Sequence, residues 1–203
     1  MILRNLKNKY GARKEDSEFA LHFLDVYEDF FSSIRHQPMN ILEIGVQKGG
    51  SVKMWAEYFS NSRITGVDIS KKCLNHASDR INIILGDQAD EAFLQTLGNF
   101  DIIIDDGGHT MEQQKTSFSV LWHHINPGGF YVLEDLETSY WPAFGGALNS
   151  PITTIEFLKS LVDNINHIAV NHPRAENKRQ IITDYGISSM CFYKSLCVLE
   201  KTK

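Results

Sequence analysis

Five short apolar runs alternate with stretches of helical spacing, and that alternation constrains the fold more than any other feature of the chain. The runs lie at 40–44, 63–69, 81–85, 100–104 and 130–133. The run Phe100-Asp101-Ile102-Ile103-Ile104 is almost continuously apolar, as expected of a strand covered on both faces. Residues 51–58, 89–97 and 111–125 carry helical spacing, and Pro127-Gly128-Gly129 stops the last of them. Strands alternating with helices imply βαβ units, right-handed crossovers and a parallel sheet.

The flanks are less regular. Phe19, Phe23, Val26, Tyr27, Phe30 and Ile34 form a stripe that predicts a helix over 16–35, with Asp16 or Ser17 as N-cap. The first dozen residues, basic in character, read as loose. Ile155, Leu158, Val162, Ile165 and Ile168 predict one long helix, and the polar stretch 171–184 a surface excursion. Two β-rich runs, around 190–193 and 197–199, are separated by Lys194-Ser195-Leu196 and predict an antiparallel hairpin. Residues 1–203 read as one domain, with 1–38 as an N-terminal helical segment.

Composition and charge disfavour several classes. A net charge of −5 argues against a nucleic-acid partner. No apolar run approaches the roughly 18 residues of a membrane span, and no apolar stretch follows the N-terminal basic residues as in a secretory signal. Cys73, Cys191 and Cys197 are an odd number with no CxxC pair. A disulfide framework is therefore not expected, and a cytoplasmic location is.

The first strand runs into Glu43-Ile44-Gly45-Val46-Gln47-Lys48-Gly49-Gly50-Ser51, ahead of a helix. Glycines between strand and helix let the backbone approach a ligand at the carboxyl edge of a sheet. A dinucleotide fingerprint needs a glycine where Gln47 stands, and a P-loop needs a lysine where Ser51 stands. Glu43 suits a cationic ligand and would repel a polyphosphate. Asp68 ends the second strand 25 residues after Glu43, where a carboxylate can accept from both hydroxyls of a ribose. The alternatives are an incidental βα turn and an Asp68 that merely caps the backbone near Ser70. Asp87 follows the third strand in a similar place, with a plain turn residue as its alternative.

The densest chemistry is Asp105-Asp106-Gly107-Gly108-His109 after the fourth strand and Glu134-Asp135 after the fifth. Neighbouring strands would gather four acids and a histidine at one rim, and crowded like charges raise pKa values. No lysine or arginine is near in sequence before Lys115. A hard divalent cation, most simply Mg²⁺, would offset the charge. The alternative is helix capping by Asp105 or Asp106 and a solvated Glu134-Asp135 turn. The aromatic loop Tyr140-Trp141-Pro142-Ala143-Phe144 follows and suits the flat face of a sugar, or a simple cover for the sheet.

Glu43, Gly45 and Gly49 resemble the first motif of class I S-adenosylmethionine (SAM) methyltransferases, although Gln47 departs from the usual middle glycine. Taken with DDGGH and PGGFYVLEDLETSYWPAFGG, the chain resembles the Mg²⁺-dependent sugar O-methyltransferases of macrolide and rhamnosyl glycosides over residues 40–150. The resemblance implies a Rossmann-like α/β sheet of seven strands, mostly parallel, with a C-terminal antiparallel hairpin and an N-terminal helix. It implies SAM at Glu43, Gly45, Gly49, Ser51, Asp68, Asp87 and Asp105. It implies Mg²⁺ at Asp106, Glu134 and Asp135, with His109 as general base, and a small-molecule glycoside or sugar acceptor. His22 is the one other histidine expected near the site. A homo-oligomer is compatible with the family. The rival readings are a metal-independent small-molecule methyltransferase and a SAM-binding protein without catalysis; a nicotinamide oxidoreductase is disfavoured by Gln47.

Overall fold

The computed structural model describes residues 2–15, 17–172, 174 and 184–203. Its centre is a seven-stranded sheet in the order β3-β2-β1-β4-β5-β7-β6. The strands are β1 (Asn40–Ile44), β2 (Arg63–Asp68), β3 (Ile81–Leu85), β4 (Phe100–Asp105), β5 (Ile125–Leu133), β6 (Ile187–Tyr193) and β7 (Leu196–Lys201). The first five pair in parallel, and β7 lies antiparallel between β5 and β6. The expected sheet, with its terminal hairpin, is the one observed.

Both faces are covered. Helix α1 (Ile2–Tyr10), α2 (Phe23–Phe31) and α3 (Gly50–Tyr58) lie with one apolar cluster, which includes Tyr27, Phe31, Trp55 and Phe59. The short α4 (Glu91–Leu94), α5 (Met111–Leu121) and α6 (Thr154–Ile165) lie with the other, around Phe118, Trp122 and Tyr131. A last short helix, α7 (His167–Val170), follows α6. Among the described residues no helix is long and apolar enough to cross a membrane.

The differences from the sequence reading concentrate in the flanks. The first residues are not loose: α1 buries Leu3 and Leu6. The helix expected over 16–35 is shorter, starting after His22 with no side-chain cap, and residues 17–22 form turns. The alternative cap Asp16 lies outside the described residues, as does most of 171–184. Helix α5 ends at Leu121 and a 3-10 turn over Trp122–His124 follows. Pro127-Gly128-Gly129 therefore does not stop a helix but lies inside β5, where the β4 register shifts between Phe100 and Ile102.

Register positions the site. Ile44 pairs with Asp105, and Asp105 with Leu133. Gly45, Asp106 and Glu134 thus stand side by side, one residue beyond three neighbouring strands. Backbone bonds extend the ladder there, from Asp106 N to Ile44 O (3.0 Å) and from Glu134 N to Asp105 O (3.0 Å). The order reverses between β1 and β4, so their carboxyl ends open a crevice of the kind where α/β sheets bind ligands.

Candidate functional site

A cavity of about 480 Å³ occupies that crevice. Its wall includes Gly45, Val46, Gln47, Gly50 and Ser51 from the turn after β1, Asp68 from β2 and Asp87 and Gln88 beyond β3. Asp106, Gly107, Gly108, His109, Glu134 and Asp135 line the other side, and Arg13, Lys14 and Ser17 come from the N-terminal segment.

The turn is shaped by left-handed backbone. Gly45 has φ +92, and a Cβ there would run into the Asp106 carbonyl. Gly49, at φ +72, faces the His76 ring in the same way. Gln47, where the usual glycine is missing, nonetheless takes φ +50. Asp68 holds this loop through Oδ2, which accepts from Val46 N and Gln47 N, each at 2.9 Å, while Oδ1 accepts from Ser70 N just beyond β2 at 2.8 Å. Although burial works the other way, these backbone donors hold the Asp68 carboxyl below its ordinary range.

Glu43, Gly49 and Asp105 are set behind the cavity wall. Glu43 is fully buried and accepts from Ser51 Oγ (2.7 Å) and Trp55 Nε1 (3.0 Å), so it braces the turn against α3. Ser51 lines the cavity, but its hydroxyl is turned to Glu43. Asp105 is buried on the α5 side, bonded by Ser117 Oγ, Tyr131 OH (3.1 Å) and Gln88 Nε2 (3.0 Å). Burial pushes its carboxyl up. Gln88 then accepts from Gly108 N at 2.6 Å, linking the loops after β3 and β4. Asp87 lines the cavity and accepts from Ala89 N at 2.8 Å.

Asp106, His109 and Asp135 come together. One donor atom from each lies within 4.8 Å of the others. His109 Nε2 is 3.3 Å from Asp135 Oδ2 and 3.9 Å from Asp106 Oδ1. Nδ1 is buried without a hydrogen bond, which leaves Nε2 as the ring nitrogen at the site. Burial and the Asp106 charge, opposed by His109, push the Asp135 carboxyl up to about 6. The two carboxylates fit a hard divalent ion with open positions for other ligands, and Nε2 stands beside them as a further ligand or as a base.

Glu134 is placed differently. Among the described residues its side-chain hydrogen bonds and ion pair fall on Oε1, from Lys14 Nζ at 2.7 Å and from Tyr27 OH. No sequence motif points to Lys14, which is 2% exposed and also reaches Asp106 Oδ2 at 2.6 Å and Glu43 Oε1 at 3.0 Å. Burial opposes its charge, but Asp106, Glu134 and Glu43 together hold its pKa well above the usual lysine range. The counter-charge missing near these acids in sequence therefore comes from 92 residues upstream of Asp106. No periodic pattern marks a lone lysine in a basic segment; the sole signal was that crowded strand-end acids need a partner.

The aromatic loop stands beside the histidine. Thr138 Oγ1 donates to the His109 carbonyl at 3.1 Å. Trp141, 39% exposed, packs edge-on to Phe19 with ring centres 5.6 Å apart, and Phe144 lies at 6.0 Å. His22 is outside the cavity wall, its ring against Phe23 and Tyr193.

Comparison with known proteins adds an independent line. Residues 42–136 match the methyltransferase domain family. The chain is 38% identical to 8-demethyl-8-alpha-L-rhamnosyl tetracenomycin-C 2'-O-methyltransferase of Streptomyces olivaceus, over 98% of this chain and 54% of that protein. It is likewise 38% identical to mycinamicin VI 2''-O-methyltransferase of Micromonospora griseorubida, over 98% of this chain and 52% of that protein. Among solved structures, the MycE methyltransferase of mycinamycin biosynthesis, in complex with Mg and SAH, superposes with a TM-score of 0.89 at 35% identity, covering all of this chain and 55% of that one. The chain thus spans about half the length of the relatives it matches.

Proposed function

We propose that this chain, whose residues 42–136 match a methyltransferase domain within a sequence similar along its length to sugar O-methyltransferases, transfers a methyl group from SAM to a sugar hydroxyl of a small-molecule glycoside. The observation that carries this reading is the meeting of Asp106, His109 and Asp135 on the cavity that the glycine turn and Asp68 also line. The adenosyl group would lie against the turn, with its ribose near Asp68 and its adenine towards Asp87 and Gln88. Glu43 and Asp105, set behind the wall, would support that surface rather than touch the ligand.

Asp106 and Asp135 would hold Mg²⁺, with Glu134 as a third ligand through the oxygen that Lys14 and Tyr27 leave aside. When bound, the ion would supply positive charge to neighbouring hydroxyls of the acceptor and favour their deprotonation. His109 takes the proton at Nε2, the ring nitrogen between the two acids. The cavity would have to set the acceptor oxygen in line with the methyl group, and such positioning can supply much of the rate. Trp141 and Phe144 offer an apolar face beside the reacting end for the sugar or what it is attached to.

A metal-independent methyltransferase is the second reading, and one observation favours it: Lys14 already supplies a cation to Asp106 and Glu134. Methyl transfer from SAM to rhamnosyl glycosides, followed by mass spectrometry in EDTA and after Mg²⁺ is restored, separates the two. Product that disappears in EDTA and returns with Mg²⁺ supports the first. Product that is indifferent to chelator supports the second. No calorimetric heat with either SAM or S-adenosylhomocysteine (SAH) would overturn both.

A further inference from the structure

We infer that Lys14 is a positioning residue for the divalent ion: it holds one oxygen of Asp106 and one of Glu134, and presents the other oxygen of each to the metal. The inference rests on the metal-dependent reading above.

Its basis is the division of each carboxylate. Lys14 Nζ is 2.6 Å from Asp106 Oδ2, while Asp106 Oδ1 is the oxygen on the His109 side. On Glu134, Lys14 and Tyr27 both take Oε1. A carboxylate held at one oxygen by a fixed donor loses the rotation that would scatter the other, which is how supporting contacts usually tune metal ligands. Lys14 is itself fixed by a third acid, Glu43 at 3.0 Å, on the strand next to that of Asp106. Three strand ends are therefore locked through one ammonium. This arrangement does more than balance charge, since a counter-ion needs no particular oxygen.

Positioning and simple charge balance predict opposite signs. A buried ammonium beside a dication repels it, so on electrostatics alone Lys14→Met should tighten divalent binding. If Lys14 positions the ligands, the same variant should weaken it. The test uses Mn²⁺ as probe, with electron paramagnetic resonance for the affinity and water proton relaxivity for the number of metal-bound waters. For folded Lys14→Met we expect affinity at least tenfold weaker than wild type. Relaxivity per bound ion should rise, as water replaces a lost carboxylate. Unchanged or tighter binding overturns the inference. Wild-type protein that binds no Mn²⁺ defeats the metal-dependent reading itself, and the inference with it.

A second measurement needs no variant and decides the matter if Lys14→Met does not fold. In the ¹⁵N spectrum of the lysine ammonium groups, the slowly exchanging signal of buried Lys14 should persist at saturating Mg²⁺. Its loss would mean that the metal displaces Lys14, which is the opposite arrangement.

Discussion

His109 Nε2 faces Asp135 Oδ2 across 3.3 Å, and both residues hold left-handed backbone, at φ +59 and +54. Neither is a glycine, so each conformation costs on the order of 1 kcal/mol or more. The Thr138 bond to the His109 carbonyl and the loop after β5 keep both residues in place. Backbone strain concentrated on two facing site residues suits a pair whose orientation matters to the chemistry.

Asp135→Asn should make the metal-free protein more stable at pH 7.5 and leave it unchanged at pH 4. The folded carboxyl is pushed up to about 6, above the ordinary value near 3.9 for an unfolded chain. An acid with a raised folded pKa stabilises the fold below its unfolded value, and that contribution is lost as pH rises from about 4 through 6. Asparagine tolerates left-handed backbone, so the comparison isolates charge. The gain should be about 1–3 kcal/mol, read as a higher melting temperature in chelator. Mg²⁺ should reverse the order by stabilising wild type alone. Equal melting curves at pH 7.5 would refute this.

His109→Asn should lower kcat by about 10²–10⁴-fold, the usual worth of a general base. Asparagine again accepts the positive φ, so the fold should survive. SAH affinity by calorimetry should stay within threefold, since a base at this position would serve the acceptor. A variant within threefold of wild type in kcat would remove His109 from proton transfer.

Gln47→Gly should raise the melting temperature without weakening SAH binding. Gln47 sits at φ +50, and a side chain in this region costs roughly 1–2 kcal/mol. The greater freedom of glycine in the unfolded chain returns part of that. A net gain of about 0.5 kcal/mol corresponds to roughly 1–2 °C for a chain of this size. A lower melting temperature would show that the Arg13 bond to Gln47 Oε1 (3.4 Å) matters more than the strain.

Asp68→Ala should weaken SAH binding by about 1.5–3 kcal/mol, the range for hydrogen bonds to a charged group. It also removes the acceptor of three backbone N–H groups in and beside the turn, so the melting temperature should fall as well. Calorimetry on the folded variant measures the first effect and a thermal scan the second. Unchanged SAH affinity would place the ribose elsewhere.

The strands were legible because burial on both faces writes itself as uninterrupted Ile and Leu, as in Ile102-Ile103-Ile104. The rim was legible because the chain leaves each strand through a glycine or an acid. Helix α1 was not, since Leu3 and Leu6 are its only buried side chains and lysines and asparagines surround them. The Phe19–Ile34 stripe overran the actual helix because Phe19 is apolar for another reason, its contact with Trp141. Pro127-Gly128-Gly129 misled because an irregular stretch inside a strand can hold the same residues as a helix stop. Lys14 lay beyond any local pattern; tertiary contact alone brings it to Glu43, Asp106 and Glu134.

The insertion of β7 between β5 and β6 sets the timetable of assembly. Until residues 196–201 have been synthesised, β5 is an open edge with unpaired backbone and apolar faces, a template for pairing with other chains. Removing 196–201 should therefore yield aggregates detectable by light scattering. Leu136 N, just past the acids of the site, also donates to Ser195 O in the hairpin turn at 3.0 Å. The nascent chain would thus complete its acidic rim only when the last strand inserts between β5 and β6, so that the loop after β5 and a shielded edge are acquired in the same event.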